Sequence, residues 1–432
     1  MYIAVLTFCL YSSVYAFRKP FTVASFGELR MLGLPYQSVL IISQVIGYML
    51  SKFFGIRFIS SMKRTGRWKT SVVLMASAWL TLLLFAVLPD WAGIPCFLIN
   101  GYMLGFMWGI VFSYAEGRRS TDLIGSVMAI SFIFAGGFTR SAGKWLMTDY
   151  GVTARWMPFI TGMLFVIPLA IFIFLLEKVP GPDEEDIKLR VERKSMNASD
   201  RKKIIAKFSA GIIVLAIIYS FLTIIRDLRD NFMGNIWSDL GYANDFSIFA
   251  RSETRISAGI LLMMALLVLV RSNIKAFMII HVLVITGFLL AGISSYLFFI
   301  GKMSGSWWMQ LVGLGLYMAY IPFNAIFFDR MIAAFRISGN VGFLIYLTDA
   351  FGYLGSVAVM IFKEGLTLQI TWSDFYSRSV ILFSIIGVAG TIYSIYYFSL
   401  KYKRLIVDHA QIKGHSSGGG YSRIGYGTGP QQ

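Results

Sequence analysis

Residues 177–208 read EKVPGPDEEDIKLRVERKSMNASDRKKIIAKF, and they divide an otherwise apolar chain. Pro180, Gly181 and Pro182 stop a helix there, because proline lacks an amide hydrogen and its ring clashes with the preceding turn. The mixed charges from Asp183 to Lys207 then hold the segment in water. On either side recur apolar runs near the roughly 20 residues that cross a hydrocarbon core. Six precede the break, at 1–27, 36–59, 70–89, 94–115, 123–146 and 157–176, and six follow it, at 209–233, 247–270, 276–300, 306–328, 338–362 and 377–399. This reads as an all-α membrane protein with twelve transmembrane helices in two six-helix bundles, 1–176 and 209–400, joined by a cytoplasmic linker, 177–208. The tail, 401–432, becomes rich in Gly, Ser and Tyr from about Lys413 and is expected to be disordered.

Composition agrees with that class. Of 432 residues, 57% are hydrophobic and 14% charged, and the mean hydropathy of +0.68 is far from that of a soluble domain. No alternating strand pattern competes with the apolar runs, so helices rather than a closed barrel are the spanning elements. Cys9, Cys96 and His281 fall within expected spans, while His409 and His415 lie in the tail. No disulfide framework, metal site, cofactor site or nucleophile–base pair can be assembled from that inventory, so an enzyme is not expected. The first apolar run is too long for a cleavable signal peptide, and the expectation is a chain that starts at the mouth of its first helix. A net charge of +17 would point a soluble protein toward nucleic acid. Here loop topology and anionic headgroups account for it, so the partners expected are lipid and a small anionic solute, with no nucleic acid, and the protein is expected to be a monomer.

The connections after spans two, four, eight and ten carry Lys63, Arg64, Arg67, Lys69, Arg118, Arg119, Arg271, Lys275, Arg330 and Arg336, whereas those on the other side are poorer in basic residues. By the positive-inside rule, both termini and the linker are cytoplasmic, in an inner membrane.

Charges inside the spans are the candidate functional residues. The first span contains Tyr-Ser-Ser-Val-Tyr-Ala-Phe-Arg-Lys-Pro-Phe from Tyr11 to Phe21. A guanidinium at Arg18 either snorkels to the interface or faces a water-filled cavity, and Lys19 with the apolar residues that follow favours the cavity. Span seven carries Arg226-Asp227-Leu228-Arg229-Asp230-Asn231, in which Arg226 and Asp230 are one helical turn apart and able to pair. Two readings stand: an interfacial ion-pair cluster that ends the helix, or an anion site whose arginines are held by aspartates when empty. Arg251, Glu253 and Arg255 open span eight at the same depth and would complete a network. Asp349 in span eleven either takes a coupling proton or bonds a neighbouring Tyr346 or Tyr353. Pro322 with Asn324 behind it reads as a kink in span ten, and Trp307 and Trp308 as interfacial belt residues.

Two six-helix halves with a midplane site is also the plan of the major facilitator superfamily. Within it, Tyr11, Tyr15, Arg18, Lys19 and Phe21, the run Ser51-Lys52-Phe53, the trio Gly101, Gly105 and Trp108, and Ile224-Ile225-Arg226 together resemble the organophosphate:phosphate antiporter family. The resemblance implies that Arg18 and Arg226, on corresponding helices of opposite halves, contact phosphate, with Lys52 in the cavity region. Where that family has a cavity histidine, this chain has Phe132 and Ile133, with Arg140 a few residues on, and the loop after span two lacks the superfamily's aspartate.

The candidate substrate-binding residues are therefore Tyr11, Tyr15, Arg18, Lys52, Trp108, Arg226 and Arg229. The candidate charge-pairing or proton-coupling residues are Asp227, Asp230, Glu253, Arg255 and Asp349. A dianionic phosphate needs several strong donors in a low-dielectric cavity, and arginine's planar fork matches two of its oxygens. The function expected is secondary transport of a small, phosphate-bearing anion by alternating access. The alternatives are a proton-coupled carrier of another solute and a non-transporting receptor for organophosphates.

Overall fold

The computed structural model describes residues 2–61, 66–115, 118, 121–181, 186, 198–335, 342–365 and 370–417. In hydrocarbon a backbone must satisfy its own polar groups, and the chain does so with helices. They are α1 (Tyr2–Tyr15), α2 (Tyr36–Ser61), α3 (Arg67–Val87), α4 (Gly93–Ser113), α5 (Thr121–Tyr150), α6 (Met157–Glu177) and α7 (Ala198–Asn231). There follow a short α8 (Met233–Asp239), then α9 (Ser247–Val268), α10 (Asn273–Phe299), α11 (Gly305–Pro322), a short α12 (Phe328–Ala334), α13 (Gly342–Gly365) and α14 (Trp372–Ser417). Each of the twelve expected spans overlaps at least one of these helices. Among the described residues, nine helical segments are long and apolar enough to cross a membrane. The turn between α1 and α2 holds a small antiparallel ladder, Arg30–Met31 with Leu34–Pro35.

Three boundaries differ from the sequence reading, and one interruption matches it. The first span is not one helix, because α1 stops at Tyr15 and the chain resumes as a 3₁₀ turn at Pro20–Val23. Helix α7 begins at Ala198, inside the segment expected to be linker, and bends at Phe208, whose φ/ψ of −123°/21° is not helical. Helix α14 continues to Ser417, through the first part of the tail expected to be disordered, because residues 401–413 are good helix formers without glycine or proline. Span ten is interrupted as Pro322 implies: a π-helical turn, Phe323–Phe327, separates α11 from α12 and contains Asn324.

Packing falls into two groups, with the most extensive contacts between them at two places. Helix α2 packs on α4, α3 on α4, and α1 on α5 and α6, while α10 packs on α11 and α14, and α7 on α13 and α14. The groups meet where α5 lies on α9 and α2 on α13. Lipid tails are as apolar as leucine, so close backbone approach rather than hydrophobicity drives such contacts. A Cβ at Gly101 of α4 would sit 2.0 Å from the Gln44 carbonyl oxygen of α2, and one at Gly137 of α5 would sit 2.5 Å from the Phe249 carbonyl oxygen of α9. Trp308 departs from the belt reading: it is fully buried, stacks on Phe298 with centroids 4.0 Å apart and donates to Ser295 Oγ at 3.0 Å, whereas Trp307 is exposed.

Gly101→Leu is expected to destabilise the protein at or above the usual overpacking range of about 1–3 kcal/mol. In detergent its melting temperature should fall by several degrees, while Gly66→Ala, with nothing within 4 Å of the added carbon, should melt as wild type does.

Candidate functional site

The break after α1 builds the site. Pro20 cannot donate a hydrogen bond, and its ring would strike the carbonyl of Ala16 in a continuous helix. The amides of Arg18 and Lys19 instead both bond the Tyr15 carbonyl, each at 3.0 Å. Two carbonyls left over are taken by side chains: Asn100 Nδ2 donates to Phe17 O at 3.3 Å and Gln44 Nε2 to Arg18 O at 3.2 Å. Gln44 and Asn100 also bond each other at 2.9 Å, so irregular backbone at membrane depth is fully supported by α2 and α4.

Consecutive residues of this break then serve two places. Arg18 turns toward α2, its guanidinium carbon 4.0 Å from the Tyr48 ring centroid and 5.7 Å from that of Tyr15. Lys19, which the sequence reading did not place among the candidate site residues, is 2% exposed and reaches the end of α7. Its Nζ lies 2.5 Å from Asp230 Oδ2 and donates to Asn231 Oδ1 at 2.8 Å. Arg140 of α5 meets the other oxygen, Asp230 Oδ1, at 2.6 Å, and its Nε donates to Thr22 Oγ1 at 2.9 Å. The pairing of Arg226 with Asp230 expected from helical spacing is therefore not formed, because Asp230 faces α5 and the break. Arg226 closes instead on its neighbour Asp227, with Nε and Nη2 at 3.1 and 2.6 Å from Oδ1, and donates to the Tyr320 hydroxyl.

A third group joins α2 to the C-terminal helices. Lys52 Nζ is 3.3 Å from Asp349 Oδ2 on α13, and Tyr219 of α7 donates to Asp349 Oδ1 at 2.6 Å. Asn324, in the π-helical turn, donates to the Tyr219 hydroxyl. Asp349 thus bonds a tyrosine, as one of its two readings had it, but the partner is Tyr219.

These groups border a cavity of about 270 Å³. Of the candidate residues, Tyr11, Tyr15, Arg18, Lys52, Trp108, Arg226, Asp227, Asp230 and Asp349 line it. Arg229, Glu253 and Arg255 do not. Arg229 points between α9 and α11, fully buried, bonding Glu253 Oε1 at 2.6 Å and Met309 O at 3.3 Å. Arg255 lies on the exposed side of α9 and donates to Gln310. Arg251 is exposed too, paired with Asp245. The cavity wall also includes Tyr48, Tyr317, Tyr320, Tyr353 and Phe132, the last in the position where a histidine was looked for. Tyr48 was discoverable, since it lies one helical turn before Lys52 on α2. Lys19 and Arg140 were not, because nothing local ties either to Asp230.

Contacts between the two groups of helices gather on one side of this cavity. Besides the Lys19–Asp230–Arg140 cluster, Ser141 donates to Phe246 O at 2.6 Å and accepts from the Ala250 amide at 3.0 Å, and Asn235 donates to Gln37 at 3.3 Å. From there the lining runs toward Phe112, Thr121 and Asp329, at the opposite end of the bundle, where the basic connections lie. Among the described residues no cluster of three His, Cys, Asp or Glu side chains is suited to a metal ion.

The chain superposes on the crystal structure of a D-xylose–proton symporter with a TM-score of 0.62, at 14% identity over 91% of this chain and 95% of that one. It superposes on the nucleoside transporter NupG with a TM-score of 0.57, at 18% identity over 92% and 98%. The fold is thus that of the major facilitator superfamily, in a multi-pass membrane protein. No curated protein matches it in sequence. A model of one sequence family matches residues 20–401, from Pro20 at the start of the 3₁₀ turn into α14, and the chain belongs to that family, the family of unknown function DUF5690.

Proposed function

We propose that the chain is a secondary transporter that moves a small anionic solute by alternating access. The observation that carries this reading is Arg18: it lines the cavity, and no carboxylate of the described residues lies within ion-pair distance of it. A cation kept in a low-dielectric wall without a counterion leaves room for one that arrives with the solute. A phosphate-bearing solute, the class implied by the antiporter resemblance, is the version of this reading that uses Arg18 and Arg226 together. Transport itself is supported by the fold, shared with a sugar–proton symporter and a nucleoside transporter.

In this reading the bundles 1–176 and 209–400 are the rocking units, the termini and linker are cytoplasmic, and the membrane is the inner one. The contacts around Asp230 then close the outer end, and the cavity extends toward the cytoplasm. Solute bound between Arg18 and the C-terminal helices favours the occluded arrangement over the open one, which is the differential affinity that a population shift requires.

A second reading, proton coupling, is favoured by Asp349, a carboxylate in the cavity wall that joins the two groups of helices through Lys52 and Tyr219. Glu253 does not compete for that role, since its partner is the buried Arg229.

Purified protein in liposomes, tested with labelled glucuronate, benzoate, glucose 6-phosphate and inorganic phosphate, should accumulate at least one of them. Arg18→Gln should slow that uptake by about tenfold or more, the scale of one charge-assisted hydrogen bond, and Arg18→Lys should restore it only in part, because a point charge lacks the fork. Uptake at the wild-type rate in Arg18→Gln would remove the site assignment. Protection against heating with no flux of any of the four would move the protein to the receptor class.

If protons are coupled, Asp349→Asn should retain exchange of solute across the membrane and lose the stimulation given by an imposed pH gradient. A gradient response unchanged in that variant excludes Asp349.

A further inference from the structure

We infer that Tyr219, which stands outside the cavity wall, is the positioning residue through which proton binding at Asp349 and solute binding beside Arg226 favour each other. This rests on the proton-coupling reading and deepens it. Tyr219 is fully buried in α7, and its ring stacks on that of Tyr320 of α11 with centroids 5.5 Å and planes 26° apart. The stack holds the two hydroxyls 3.3 Å from each other. Tyr219 donates to Asp349 Oδ1 at 2.6 Å, and the Tyr320 oxygen accepts from Arg226 Nη1. Asn324, in the π-helical turn, donates to the Tyr219 oxygen and lies 3.4 Å from that of Tyr320. Such turns are frequent at functional sites. Two residues of the cavity wall, Asp349 and Arg226, are thus joined by a chain of hydrogen bonds that passes behind it through Tyr219.

The chain has a direction. A hydroxyl carries one proton, and that of Tyr219 goes to the carboxylate, the nearer and charged acceptor. At the 3.3 Å contact Tyr320 is then the donor, and its proton points to Tyr219 instead of the cavity. Among the described residues, the other charged or titratable groups facing Asp349 are Lys52 and Tyr48 of α2, Tyr320 of α11 and Tyr353 of α13. Transfer of a proton from solvent to the Asp349 carboxylate makes a neutral acid with a donor of its own. That acid donates to the Tyr219 oxygen, the Tyr219 proton turns to the Tyr320 oxygen, and the Tyr320 proton turns into the cavity beside Arg226. No other covalent bond changes. An anionic solute there gains a donor and loses a negative neighbour, and by linkage the bound anion raises the affinity of Asp349 for its proton. The loss of charge acts without Tyr219; the added donor requires it.

The test uses the full chain in detergent, with binding of glucuronate, benzoate and sulfate, anions of constant charge across the neutral range, measured as a function of pH. At least one should bind more tightly as the pH falls. In Tyr219→Phe that pH effect should shrink by about tenfold, the scale of one hydrogen bond to a charged group. An equal pH effect in the two proteins overturns the inference and leaves proton coupling standing, whereas a bound anion with no pH effect in the wild type overturns both. Where none of the three binds, or Tyr219→Phe does not fold, infrared difference spectra of the anion-free wild type between high and low pH decide. A protonated carboxyl band, absent in Asp349→Asn, should rise together with a shift of a tyrosine C–O band. The carboxyl band rising without the tyrosine shift overturns the inference alone, and no carboxyl band overturns the proton-coupling reading with it.

Discussion

Asp230 is the charge on which the arrangement of the helices depends. It sits at the end of α7 and is held by two cations from the N-terminal group, Lys19 and Arg140, both almost wholly buried. Buried ions cost several kcal/mol each unless they are paired, so none of the three is tolerable without the others. The cluster therefore does more than add stability. It requires α5 and the segment after α1 to meet α7 beside the cavity, whose wall includes Asp230. The break at Pro20 is part of the same constraint, because it gives Lys19 and Arg18 different directions: one toward Asp230, the other toward Tyr48 and the cavity.

A second layer of charge lies deeper in the cavity and is organised by tyrosine. Tyr219 and Tyr320 connect Asp349 and Arg226 through their hydroxyls, and Tyr48 offers its ring to both Arg18 and Lys52. Such hydroxyls can donate or accept and the rings can carry a cation on their faces, so one residue type serves both signs of charge. Behind this layer, Arg229 and Glu253 form a fully enclosed pair that ties α7 to α9 and α11. Its position away from the cavity fits a structural role, and buried ion pairs of this kind are best attested as devices that set register.

Parts of this site were legible in the chain. Arg18, Lys52, Arg226 and Asp349 stand out because a charge in an apolar run has few reasons to be there, and all four line the cavity. Arg229 stands out for the same reason and lies elsewhere: three positions from Arg226, it is turned by roughly 60° around the helix. Which of two such arginines faces a cavity depends on how α7 is rotated, and that is set by neighbours distant in sequence. Arg255 misleads in the same way, lying on the exposed side of α9 near buried Glu253. Lys19 and Arg140 were not among the candidate site residues because their partner is 211 and 90 positions away.

The sequence by itself determined the class and the approximate position of the helices, because each follows from local chemistry: apolar length and the demand for internal backbone hydrogen bonds. The tertiary structure alone decided the pairing of the charges. A carboxylate in a low-dielectric interior takes whichever cation the packing brings within reach, and packing here turns on close approaches such as those at Gly101 and Gly137, which no local pattern specifies. Asp230 therefore went to Lys19 and Arg140 instead of Arg226, and Arg18 was left in the cavity wall with no carboxylate of the described residues paired to it.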